Sequence, residues 1–423
     1  MINRIIKALN AEKAKIWQIN RTETERAELY FIGGRLDIPR RAFITEYKVT
    51  VYRDFEEDGK KFRGSSCCFI EDGLTDDEIA EKIRSAYYAA QFVRNPFYEL
   101  PSPVTGSKDD SDSDLCGRNL SDIAEAFAKA VLSIPTDGNA FVNSLEIFVT
   151  RKKNEVAAST GTHVSFIENR VSGEYVTQCK RPVDVEQYRL FDYNSFDTEA
   201  LKKSVRAAIR DAELRAAASA SPKKGTYNIL LTGENLKTFF EYYAIRGNAS
   251  VIAPGYSTWK KGDTVQKSGS GELLNIDLVA TEPYSSDGIP MKDTAIIREG
   301  RFMQVTGPTR FMRYLGEEPS GTFSKLRVSG GTRKFEDMKK EGTLETVSFS
   351  DFQMDFFTGN FGGEMRLAIL HADGKEIPLT GGSVNGKISA VEDKLVFSEE
   401  RYEDSEYSGP YALLIPDVPV AGE

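Results

Sequence analysis

The sequence predicts an α+β protein, with a mixed α/β N-terminal domain and a mostly antiparallel β C-terminal domain. Three observations predict it. A capping box opens an amphipathic helix in the first quarter of the chain, a series of alternating segments follows from Ser144, and beyond Gly247 closely spaced glycines separate short alternating runs. The length of 423 residues is too great for one ordinary core, so two domains are expected.

In order, Glu28 to Phe31 reads as a strand. Tyr47 to Arg53 and Phe62 to Phe69 then flank the Asp58-Gly59 turn signal as a hairpin. Thr75-Asp76-Asp77-Glu78 caps a helix running to about Arg94, with Ile79, Ile83, Tyr87 and Ala90 on its buried stripe, and Pro96 stops it. Thr105 to Asp114 is polar and rich in Asp and Ser, so a mobile loop is expected. A short helix follows from Ser121, with Ile123, Phe127 and Val131 on one face. SLEIFVTR, NEVAAS, THVSFIE and GEYVTQC are spaced as four strands of a meander, and Asp197 or Thr198 caps a helix to Ala217. Small residues and a proline with no apolar anchor mark 218–225 as a linker, dividing the chain into 1–217 and 226–423. Tyr227 to Leu231 reads as a strand. Leu236, Phe239, Phe240 and Tyr243 mark a helix to Arg246, and LLNIDLVA, AIIREGRFMQV, MRLAILHA and DKLVFSE are β.

Composition excludes several functions. With 28% charged residues and a net charge of −9, the chain is suited to solubility. Its basic pairs (Arg40-Arg41, Arg151 to Lys153, Lys223-Lys224) are isolated, which argues against nucleic-acid binding. Charge in every turn of Met1 to Asn20 leaves no export signal, and no run of about 18 apolar residues could cross a membrane. Cys67, Cys68, Cys116 and Cys179 are too sparse for a disulfide framework, so a cytoplasmic setting is expected.

No catalytic motif is complete. The only histidines, His163 and His371, lie far apart, so no HExxH pair exists, and there is no CxxC. Gly381 to Lys387 approaches a phosphate loop, but Ile388 replaces the hydroxyl residue and a strand is expected to follow. Ser257 to Lys260 and Ser221 to Lys224 have SxxK spacing without the accompanying elements. No GxSxG occurs, and Asp72 with Asp76 or Asp351 with Asp355 carry no mark of an acid/base pair. No catalytic, metal or cofactor residue is assigned.

Several collinear segments resemble the TldD/PmbA family, whose members have been described as modulators of DNA gyrase and are associated with peptide maturation and proteolysis. They are Gly59 to Ser65, Leu74 to Arg94, Asn95 to Pro101, Ser285 to Pro290, Glu299-Gly300, Thr358 to Phe361, Gly382 to Gly386 and Pro410 to Ile415. The TldD branch carries HExxxH on the helix that opens its C-terminal domain, with a late cysteine as a further zinc ligand. Aligned on Glu241, this chain has Phe240 and Ile245 at the two histidine positions, and no cysteine follows Cys179. The departure resembles the PmbA (TldE) branch and implies a metal-free subunit, inactive alone. Its implied partner is a TldD-like metalloprotease subunit or a second copy, the two related chains enclosing a chamber for unfolded peptides. The turns at Asp287, Gly288 and Pro290, and at Thr358, Gly359, Asn360 and Phe361, are the candidate peptide-groove positions. The rival expectations are a non-proteolytic regulator of the gyrase-modulator kind and an autonomous hydrolase with an unrecognised site.

Overall fold

A computed structural model describes residues 1–422. Its first half is one large sheet with helices on a single face. α1 (Ile2–Ala11) leads into β1 (Ile16–Ile32), β2 (Arg35–Glu57) and β3 (Lys60–Glu71), followed by α2 (Asp76–Ala90), β4 (Thr105–Lys108) and α3 (Leu120–Leu132). β5 (Ala140–Ala158), β6 (His163–Cys179), β7 (Val185–Tyr193) and α4 (Thr198–Ala217) complete it. The strand order is β3-β2-β1-β5-β6-β4, with β7 also paired to β6.

Side chains two apart share a face of a strand, so parity shows where the helices lie. Ile19, Tyr47, Val49 and Val51 pack under α1 and α2. Ala27, Phe31, Leu145, Ile147 and Val149 pack under α3 and α4. Ile19 and Ala27 are an even number of residues apart on β1, so both helix pairs cover the same face. The opposite face carries Gln18, Asn20, Thr22, Lys48, Asn154 and Glu168, and it lines a cleft.

α2 begins at the expected capping box: the Thr75 side chain accepts the Glu78 N–H, and Glu78 reaches back to Thr75. The helix ends at Ala90, short of Arg94, because Gln91 to Val93 close into turns. Gly64 shows why the hairpin needs a glycine, since a Cβ there would lie 1.8 Å from the Ala90 carbonyl oxygen at the end of α2.

Strand extents differ from those expected. The four-strand meander is one long hairpin, because SLEIFVTR and NEVAAS run together in β5, and THVSFIE and GEYVTQC in β6. The polar residues between the runs do not break the strands, because Arg151 pairs with Asn169 and Asn154 with Glu168 across the ladder. The polar loop from Thr105 opens as β4, which pairs in parallel with β6 from His163 to Phe166.

The second half comprises β8 (Gly225–Thr232), α5 (Asn235–Arg246), β9 (Ile276–Val279), β10 (Thr294–Arg298), β11 (Arg301–Phe302) and β12 (Lys325–Val328). It continues with β13 (Thr343–Met354), β14 (Asn360–Ala372), β15 (Lys375–Leu379), β16 (Ser383–Lys387) and β17 (Val396–Phe397). β18 (Arg401–Glu403), β19 (Tyr407–Pro410) and β20 (Ala412–Ala421) end it. β8, β20, β16, β14 and β13 pair in succession, and β13 returns to β8, so these strands close into a ring without free edges. A second sheet runs β11-β10-β9-β12-β19-β18. α5 lies between the two sheets, with Leu236, Phe239, Phe240 and Tyr243 buried.

Residues 218–225 are not a bare tether. Ala218 is buried, and Pro222 packs against the strand end at Gly382 and Gly422. Near Gly381 to Lys387 the chain forms β16, and Ile388 then starts a single helical turn instead of the expected strand.

Candidate functional site: the cleft between the halves

The first sheet meets the second half across two clefts. One, of about 430 Å³, lies between β1, β2, β5 and β6 and the segment Glu282 to Asp287. A larger one, of about 970 Å³, lies between β6, β7 and α4 on one side and α5, β13 and β18 on the other. A separate cleft of about 210 Å³ lies within the second half, beside α5 between Glu241, Ile245, Thr306 and Phe323.

The Ser285 to Pro290 turn is where the halves meet. The side-chain amides of Gln18 and Asn20 donate to the Ser286 carbonyl at 2.8 and 2.6 Å. Asp287 accepts the Thr309 hydroxyl at 2.6 Å, which ties the turn to the following helical segment. Gly288 has φ of +74° and sits on β6: a Cβ there would come within 2.6 Å of the Thr162 methyl. Pro290 closes the turn by bridging to Tyr284, whose ring meets Phe166 of β6. The Asn95 to Pro101 segment lies on the same seam, where Arg310 donates to Asn95 at 2.7 Å and the Tyr314 hydroxyl donates to the Pro96 carbonyl.

The second candidate turn is built differently. Asp355 accepts the N–H groups of Phe357 and Thr358, and Gly359, with φ of +74°, rests against Tyr242 of α5. Asn360 opens β14. Phe361 is 4% exposed and packs edge-on against Phe239, so its ring belongs to the core and not to a groove wall.

α5 carries the three positions aligned with a metal motif, and they do not converge. Phe240 is fully buried and stacks on Tyr407, with its centroid 6.2 Å away and the rings nearly parallel, and it meets Phe397 edge-on. Ile245 and Glu241, four apart, lie on another face and line the 210 Å³ cleft. Glu241 pairs with Lys237 at 3.3 Å, and Lys237 also binds Glu406. Burial disfavours the Lys237 charge, but the bond to Glu406 and the attraction of Glu241 outweigh it, so the ammonium titrates above its usual range. Lys237 is therefore a fixed cation and not a nucleophile.

A zinc site would need several imidazole, thiolate or carboxylate donors at one point. Phenyl and sec-butyl groups offer no lone pair, and among the described residues no group of three or more His, Cys, Asp or Glu is placed to hold a metal. The donors present do not fit a zinc ion. His163 pairs with Glu155 at the surface, and His371 is buried against Glu345 at 3.0 Å. The cysteines are all free, and burial pushes the Cys68 thiol up to about 11, which makes it a poor nucleophile.

Carboxylates across the seam are the residues that sequence patterns do not reveal. Burial and the nearby Glu168 raise the Glu282 carboxyl above its usual range. Arg189 of β7 reaches both Asp211 of α4 and Glu234 before α5, at 3.7 and 3.5 Å. Burial raises the Asp211 carboxyl to about 6, and Arg189 offsets only part of this. The folded chain thus holds a proton that the unfolded chain has released, between the ordinary carboxylate pKa and about 6. Stability contributed by that proton is lost as pH rises through this window. Asp211→Asn mimics the protonated form, so it should stabilise the protein by about 1–2 kcal/mol above pH 7 and by nothing below pH 4. Urea melts at the two pH values check this, and an equal effect at both would refute it.

Comparison with known proteins places this geometry. Residues 224–422 match the family described as the PmbA/TldA metallopeptidase C-terminal domain. TldE from Thermococcus kodakarensis has the same fold, with a TM-score of 0.79 and 14% identity over 99% of this chain and 100% of that one. A candidate modulator of a DNA gyrase from Thermotoga maritima gives 0.73 and 15%, over 99% of this chain and 100% of the other. A candidate modulator of DNA gyrase from Bacteroides thetaiotaomicron gives 0.75 and 13%, over 100% and 99%. No curated protein matches. The match of whole chains shows a common fold from end to end.

Proposed function

We propose that this chain, whose residues 224–422 belong to the PmbA/TldA metallopeptidase C-terminal domain family, is the metal-free subunit of a TldD-type metalloprotease system. It forms part of the wall of a peptide-binding chamber and contributes no catalytic group of its own. Its partner is a TldD-like chain, with a second copy of itself as the alternative state, and the substrate is an unfolded peptide. The likeness to TldE supports this reading.

The observation that carries it is the direction of Phe240. The side chain at a would-be ligand position is part of the aromatic core between the two sheets, while Ile245 faces a cleft. Metal chemistry is lost here in the packing as well as in the residue types, and the clefts remain. Free cysteines support a cytoplasmic setting. The segregation of the first sheet from the other two supports two units, 1–217 and 226–423, joined through 218–225.

The test is reconstitution. The isolated chain should show no peptidase activity. Mixed with a TldD-type chain at micromolar concentration, it should co-elute in gel filtration and give chelator-sensitive cleavage of unstructured peptides. Cleavage by the isolated chain, or failure to associate with either a TldD-type chain or itself, would overturn the proposal.

A further inference from the structure

β18 ends its sheet, and its ladder with β19 determines which backbone groups point outward. The Asp404 N–H donates to the Tyr407 carbonyl at 2.9 Å, and the Tyr411 N–H donates to the Glu400 carbonyl at 2.7 Å. Hydrogen-bonded and non-bonded pairs alternate along an antiparallel ladder, so Tyr402 with Gly409 is also a bonded pair. Arg401, opposite Pro410, and Glu403, opposite Ser408, therefore turn their N–H and C=O groups away from β19.

On that outer side the neighbouring positions are already used. The Glu399 N–H donates to the Arg333 carbonyl at 2.7 Å, and the Ser405 N–H donates to the Asp192 carbonyl of β7 at 3.1 Å. Between them, the outward groups of Arg401 and Glu403 have no backbone partner among the described residues. The window accepts about four main-chain hydrogen bonds from about three residues of an extended strand. No proline interrupts it. The far half of β2, Arg35 to Thr45, is also unpaired on one side, but Pro39 lies within it and blunts that edge.

β18 lies in the 970 Å³ cleft between the halves. Leu190, which is 62% exposed, and Phe349, Phe352 and Tyr193 give the cleft apolar surface. Seven carboxylates and four cationic side chains line it. Of these cations Arg170 and Lys237 pair with Asp192 and Glu406, Arg189 and Lys325 from outside the lining pair with Glu234 and Glu403, and Lys203 and Arg401 pair with none of the seven. Glu174, Asp351 and Asp404 accept only from neutral donors: the Tyr188 hydroxyl, the Gln353 amide and backbone N–H groups. The cleft is left with a small excess of negative charge, which a peptide bearing lysine or arginine complements better than an acidic one does.

We propose that the open window of β18 takes a short extended peptide segment bearing lysine or arginine, by main-chain pairing in the cleft. The inference rests on the peptide-chamber reading and names its recognition strand. The probe is a fluorescein-labelled heptapeptide, Val-Lys-Val-Lys-Val-Lys-Val, titrated into the full chain by anisotropy. Its analogue with Glu for Lys, and one N-methylated on alternate backbone nitrogens, should each bind at least about tenfold more weakly. Glu403→Pro and Glu403→Ala both lose the carboxylate that pairs with Lys325, but only the proline variant also loses the outward N–H, so it should bind the parent peptide about tenfold more weakly than Glu403→Ala does. Circular dichroism checks that the proline variant folds, and the N-methylated peptide reads the same bond in the unaltered chain. Binding that ignores N-methylation and Glu403→Pro overturns β18 pairing but leaves the chamber reading standing. Equal or tighter binding of the Glu analogue overturns the choice of a basic ligand. Loss of all peptide binding, both alone and with a TldD-type chain, overturns both.

Discussion

Replacing Phe240 and Ile245 together by histidine is expected to leave the chain without stoichiometric zinc and to cost about 3 kcal/mol or more of stability. Phe240 is fully buried and its ring is enclosed by Phe239, Phe397 and Tyr407. An imidazole there loses apolar contact and buries ring nitrogens with no hydrogen-bond partner, which adds a desolvation penalty. The second histidine would face the cleft beside Glu241, so the two donors would not meet at one point. Elemental analysis after dialysis and urea unfolding read the two halves of this prediction. One tightly bound zinc per chain would mean that α5 can turn its Phe240 face toward the cleft, and the packing account would be wrong.

Asp54→Ala is expected to cost about 3 kcal/mol, at the low end for a broken buried ion pair because Asp54 itself is partly exposed. Arg63 makes two bonds to Asp54, at 2.7 and 2.8 Å, and a third to the Tyr98 carbonyl, and its guanidinium lies over the Phe97 ring. Removing the carboxylate leaves a largely buried cation, which costs more than removing both partners. Because Arg63 joins the β2–β3 hairpin to the Asn95 to Pro101 segment, the change should also loosen the seam at Arg310 and Tyr314. Thermal unfolding of Asp54→Ala beside the double variant Asp54→Ala/Arg63→Met separates these effects. A single variant as stable as the double one would remove the buried-charge explanation.

Much of the fold was legible where one pattern served one element. Thr75 with Glu78 fixed the start of α2, and the stripe Leu236, Phe239, Phe240, Tyr243 identified α5 and its buried face. α1 carries a comparable signal in Ile5 and Leu9, but it is short and Lys7 between them interrupts the apolar run. Strand lengths were less legible. In β5 and β6 the polar stretches pair with each other across the ladder, and a partner strand is invisible to local periodicity. The closed ring of β8, β20, β16, β14 and β13 joins residues almost two hundred positions apart, which no local pattern can report.

The same division holds for the site. Residue identity alone determined that no zinc-binding pair exists in α5, because Phe240 and Ile245 carry no donor atoms wherever they point. Collinear glycine and proline turns marked Ser285 to Pro290, but only the tertiary structure made that turn the joint with Gln18 and Asn20. It likewise decided that Phe361 is core and that Arg401 and Glu403 keep backbone groups unpaired among the described residues. The reason is physical. The chemistry of a side chain belongs to the residue, but burial, pairing and the direction of a backbone hydrogen bond depend on chain brought from elsewhere.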